Sequence, residues 1–94
     1  MPEDDPLVNW TLVFTRQAAK DAKKLSRGGL QGKAEAILMI LRRNPYQTPP
    51  PFEKLIGDLA GAYSRRITIQ HRIVYQLFEK QHVVKVLRMW THYE

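Results

Sequence analysis

The sequence predicts an α+β domain in which two helices pack on one face of a mostly antiparallel sheet. Three observations carry this. A short β-type run near the start is followed by two helical patterns separated by Gly28-Gly29. The remaining β-type segments come after the helices in unbroken succession, which makes a meander the simplest connection. Two of them, residues 63–68 and 72–78, flank a short polar interruption at residues 69–71, the arrangement of an antiparallel hairpin.

Residues 1–9 include the acidic stretch Met1-Pro2-Glu3-Asp4-Asp5-Pro6 and read as a flexible leader to a single domain spanning 10–94. Trp10-Thr11-Leu12-Val13-Phe14 is long enough for one strand. Thr15 has the chemistry of a helix N-cap. Ala18, Ala22 and Leu25 then recur at helical spacing while Lys20, Lys23, Lys24 and Arg27 take other faces, predicting a helix over 16–26 that ends at Gly28-Gly29. A second helix fits 30–43, with Leu30, Ala34, Ile37, Leu38 and Leu41 as its apolar stripe. Arg42-Arg43 complement its C-terminal dipole, and Asn44-Pro45 stops it. Tyr46-Gln47-Thr48-Pro49-Pro50-Pro51 is a stiff connector. Residues 52–56 form a short strand, 57–61 turn the chain into the hairpin, 79–81 turn it again, and 82–90 make the last strand.

Composition narrows the function. With 94 residues and 44% of them hydrophobic, the chain supports one modest core. The absence of cysteine excludes disulfides, thiol catalysis and thiolate metal sites, and agrees with the cytoplasm. The longest apolar run, 36–41, falls far short of the roughly 20 residues needed to span a bilayer. A net charge of +6 favours a polyanion or an acidic protein as partner. His71, His82 and His92 show no short paired spacing, so no metal or other cofactor is expected. Ser26 and Ser64 sit in no nucleophile-elbow context.

What remains is an acid–base set: Glu53 after the proline run, His92 beyond the last strand, and Arg65, Arg66 and Arg72 from the hairpin. Strand alternation places Arg66 with Thr68 on one face and Arg65 with Ile67 on the other. The set suits RNA cleavage, in which a base deprotonates a ribose 2′-hydroxyl, the oxygen attacks the adjacent phosphate, an acid protonates the departing 5′-oxygen, and cations stabilise the transition state. On spacing alone the plainer alternative is the stronger one: arginines as solvated scaffolding, a solvated glutamate and an inert near-terminal histidine.

The segment Phe52-Glu53-Lys54-Leu55-Ile56-Gly57-Asp58-Leu59-Ala60-Gly61-Ala62-Tyr63-Ser64-Arg65-Arg66-Ile67, with His71-Arg72-Ile73-Val74-Tyr75 and Thr91-His92-Tyr93, resembles the YoeB/Txe toxins of the RelE/ParE superfamily. The resemblance is specific over about 45–94 and looser before. It implies a RelE-like, microbial-RNase-like fold of order β-α-α-β-β-β(-β) and a metal-independent endoribonuclease that cuts mRNA in the ribosomal A site. It also implies an acidic cognate antitoxin of the YefM/Phd type. Carried over by position, Glu53 is the general base, His92 the general acid and Arg72 the transition-state-stabilising arginine. Arg65 and Arg66 match the paired phosphate-contacting arginines, with Lys54 a further nearby cation. For Tyr93, a stacking platform, a hydroxyl contact and plain packing are all open.

The sequence departs from the family in several places. Ile56 stands where many relatives carry a basic residue, and Phe52 replaces the usual proline. Between Arg72 and His92 the chain is about two residues longer, and Glu94 extends past Tyr93. A one-residue slip in that longer stretch would turn His92 to the wrong face of the sheet. Two readings from other classes compete with the nuclease: a ParE-like gyrase poison that cuts no RNA, and a catalytically silent basic module that binds an antitoxin.

Overall fold

The computed structural model describes residues 9–91. They form strand β1 (Thr11–Phe14), helices α1 (Arg16–Arg27) and α2 (Gln31–Arg43), and strands β2 (Glu53–Lys54), β3 (Ala62–Arg66), β4 (Arg72–Phe78) and β5 (Val83–Thr91). A 3₁₀ turn at Gly57–Leu59 links β2 to β3. The strands lie in the order β1-β5-β4-β3-β2. All neighbours are antiparallel except β1 and β5, which run parallel with Thr11 opposite Val83. The chain thus enters at one edge, and its last strand inserts beside the first.

The helices begin and end where their chemistry dictates. Thr15 caps α1 by accepting from the Ala18 amide at 3.0 Å, and its hydroxyl donates to the Leu87 carbonyl at 2.9 Å, tying the cap to β5. At the other end, the Leu30 amide reaches the Leu25 carbonyl and the Gly29 amide the Ser26 carbonyl. This pairing is a Schellman motif, and Gly29 supplies its left-handed residue at φ +76°. The α2 stripe packs as its spacing predicts: Ala34 and Leu41 are buried, with Leu30, Ile37 and Leu38 against them.

Both helices cover the same face of the sheet, where Ala18, Leu25, Ala34 and Leu41 meet Ile73, Tyr75, Val84, Val86 and Met89. Among the described residues, the opposite face carries a small apolar cluster of Leu55, Ala62 and Val74, with Leu87 against it. That second face is left for polar side chains. The helical spacing placed only Ala18, Ala22 and Leu25 on the buried side of α1, but Asp21 is fully buried beside them.

Towards its end, strand β5 carries two residues more than the facing stretch of β4. Tyr75 lies opposite Val86, Val74 opposite Arg88 and Arg72 opposite Thr91, with a register shift at each step. The advance from Tyr75 back to Arg72 on β4 is therefore matched by a longer advance from Val86 to Thr91 on β5. Because side chains alternate, two one-residue shifts together restore the original face.

Candidate active site

The polar face is assembled from three adjacent strands. Glu53 of β2 pairs with Ser64 of β3, Ser64 with Val74 of β4, and Arg66 of β3 with Arg72 of β4. Directly opposed residues share a face, so Glu53, Ser64, Arg66 and Arg72 all point away from the helices. With Pro50 and Pro51 they line a cavity of about 340 Å³.

Inside it, Nη1 of Arg72 donates to Oε1 of Glu53 at 2.7 Å and to Oγ of Ser64 at 3.2 Å. The Arg72 side chain is only 8% exposed, whereas that of Glu53 is 59% exposed. The cation is thus held in the wall while the carboxylate faces the opening. Arg66 lies across the β3–β4 pair and is exposed. Two guanidinium groups and one carboxylate leave this patch with one excess positive charge, suited to an anion accompanied by a group that gives up a proton. Ser64 also belongs here. Its sequence context fits no nucleophile, and its hydroxyl is buried where it accepts from the Arg72 guanidinium. Its place on the same strand face as Arg66, one pleat away, was the available signal.

Arg65 is a correction. Expected to contact phosphate beside Arg66, it is buried on the opposite face, 1% exposed. Its guanidinium donates to the carbonyls of Pro45 and Gln47 at 2.8 Å, to that of Pro50, and to the Tyr75 hydroxyl at 3.1 Å. Phe52 covers it, with the ring centroid 5.0 Å from Cζ. The residue that replaces the usual proline is therefore stacked on this cation. Arg65 fastens the proline segment that leads into Glu53, and with its guanidinium committed to these four hydrogen bonds on the helix side it is not part of the cavity lining. Burial pushes the Tyr75 phenol upward, against the opposing effect of the Arg65 charge and hydrogen bond, so it remains a neutral hydroxyl.

Lys54 is exposed and pairs with Tyr63, which places it on the other strand face from Glu53 and outside the cavity lining. Ile56 is 87% exposed and also outside the lining. His92 and Tyr93 lie outside the described residues. Among the described residues, no group of three or more histidine, cysteine, aspartate or glutamate side chains stands together to hold a metal ion. None of the described helices is long and apolar enough to cross a membrane.

The arrangement of two helices on one face of a five-stranded, mostly antiparallel sheet is the fold of the YoeB and RelE toxins. More narrowly, the chain belongs to the YoeB-like toxins of bacterial type II toxin–antitoxin systems, whose sequence model matches residues 14–93. Among solved structures it is similar to a YoeB/ParE toxin from Agrobacterium tumefaciens, at 30% identity over 88% of this chain and 99% of that one, with a TM-score of 0.79. It is also similar to the YoeB dimer from Staphylococcus aureus, at 30% identity, 90% and 99% coverage and a TM-score of 0.76. A chain of the YoeB-YefM complex from the same organism matches at 30% identity, 89% and 98% coverage and a TM-score of 0.72. A comparison with curated proteins finds no match.

Proposed function

We propose that this toxin is a ribosome-dependent endoribonuclease that cuts mRNA in the A site without a metal ion. The observation that carries the reading is the cavity in which an exposed Glu53 carboxylate sits on the buried Arg72 guanidinium, with Arg66 beside them. Glu53 takes the proton of a ribose 2′-hydroxyl. The 2′-oxygen attacks the adjacent phosphorus, the bond from phosphorus to the 5′-oxygen breaks, and His92 protonates that oxygen, leaving a 2′,3′-cyclic phosphate and a 5′-hydroxyl. Arg72 and Arg66 stabilise the charge that builds on the phosphoryl oxygens. In the resting chain Arg72 is engaged by Glu53, so an arriving phosphate competes for the guanidinium and releases the carboxylate as base. The ribosome supplies the alignment of the 2′-oxygen, and that accounts for a preference for translated over free RNA.

The inhibitor is an acidic antitoxin, since the toxin carries a net charge of +6 and a similar toxin is solved in complex with YefM. The reading places both proteins in the cytoplasm with the ribosome.

The test is primer-extension mapping of a translated reporter mRNA after brief induction of the wild type, Glu53→Ala and His92→Ala. Codon-phased cuts that vanish when translation is blocked, and that both substitutions suppress, are expected. Growth arrest without cuts would replace this reading with the gyrase-type poison.

A further inference from the structure

We propose that Asp21, on the far side of the sheet from the cavity, is a positioning residue that fixes the register of β5 and so sets where the chain arrives beside Arg72; the catalytic consequence rests on the nuclease reading above. Asp21 is fully buried on α1. Its Oδ2 accepts from Nε of Arg88 at 2.8 Å and from the backbone amide of Met89 at 2.9 Å. Its Oδ1 accepts from Nε2 of Gln17 at 3.2 Å and Nη2 of Arg88 at 3.4 Å. These hydrogen bonds fall on one place in the sheet. Arg88 and Met89 lie between the Tyr75–Val86 and Arg72–Thr91 pairs, the stretch in which β5 carries its two extra residues.

A strand that carries extra residues cannot give all of its amides to its neighbour, and the irregular positions need other partners. The Asp21 carboxylate is such a partner, delivered from the helix layer. The arrangement also restrains the strand from sliding. If β5 moved by one residue, the amide and guanidinium that meet Asp21 would leave it, and the pairing of Arg72 with Thr91 would be lost. The clamp sits two positions before the residue opposite Arg72, so it governs which residue of β5 reaches that position.

The experiment uses the purified full chain of the wild type, Asp21→Asn, the paired variant Asp21→Ala/Arg88→Met, and Ile37→Ala as a control that weakens the core elsewhere. Two quantities are read: the cross-strand proton–proton NOE between Arg72 and Thr91 by NMR, and single-turnover cleavage of mRNA bound in the ribosomal A site, with affinity measured separately. The proposal expects the Arg72–Thr91 NOE to weaken or move to a neighbouring residue in both Asp21 variants while they remain folded. It expects cleavage to fall by about 10- to 100-fold with affinity changed less than about 2-fold, the signature of misplacement. The control should keep both. Asp21 variants with the wild-type NOE overturn the proposal, whether or not cleavage falls, as does a loss of cleavage equalled by Ile37→Ala. A wild type that cleaves nothing, with the strand register displaced in the Asp21 variants, would overturn the nuclease reading and leave the clamp standing.

Discussion

A single nitrogen of Arg72, Nη1, serves both Glu53 at 2.7 Å and Ser64 at 3.2 Å, joining an exposed carboxylate to a buried hydroxyl through a cation set into the sheet. The guanidinium is thereby fixed against the Glu53 carboxylate in the cavity wall, where the proposed function has it meet a phosphate. Lysine offers a point charge with no planar fork and cannot reproduce this orientation. Arg72→Lys should therefore lower single-turnover cleavage on the ribosome by about 10- to 100-fold, the equivalent of about 1.5–3 kcal/mol for one charge-assisted contact. Unchanged cleavage would show that charge alone is required at this position.

The adjacent arginines should separate by experiment. Removing the Arg65 guanidinium deprives three backbone carbonyls and a phenol of their buried donor. Arg65→Met should destabilise the fold by about 3–5 kcal/mol in urea titration. Arg66→Ala, at an exposed position, should change stability by less than about 0.5 kcal/mol while weakening RNA contact. Equal stability of the two variants would refute the division of roles.

Stability should also depend on acid through Asp21. Burial alone would raise its carboxyl, but hydrogen bonds from Arg88, Met89 and Gln17, with the Arg88 charge, outweigh this and hold it below its ordinary value of 3.8. A carboxyl lowered in the folded state adds stability that is full above its unfolded value and is lost as pH falls through the folded one. The urea midpoint of the wild type should therefore drop more steeply below about pH 4 than that of Asp21→Asn, which starts lower at neutral pH. Parallel pH profiles would remove Asp21 as the source.

Two further substitutions test the scaffold. Gly29→Ala places a side chain at φ +76° in the Schellman turn and should cost about 1–2 kcal/mol. Leu41→Ala empties a fully buried position of the main core and should cost about 2–5 kcal/mol. Thermal or urea unfolding measures both, and a smaller loss at Leu41 than at Gly29 would contradict the packing described.

Much of this architecture is local information and was therefore legible in the chain itself. The Thr15 cap, the glycine pair after α1, the α2 stripe from Leu30 to Leu41 and the β3–β4 hairpin each depend on neighbours within a few residues. Alternation also placed Arg65 and Arg66 on opposite faces. What it left undecided was which face the helices cover, because that depends on how the whole sheet buries its larger apolar side. Once α1 and α2 lie on the side of Ile73 and Tyr75, Arg65 becomes an internal fastener and Arg66 an open cation. The parallel insertion of β5 beside β1, the shifts that absorb its extra residues and the burial of Asp21 against Met89 belong to the tertiary structure alone. Each joins residues far apart in the chain, and no spacing in the sequence encodes the partner that a distant strand or helix will supply.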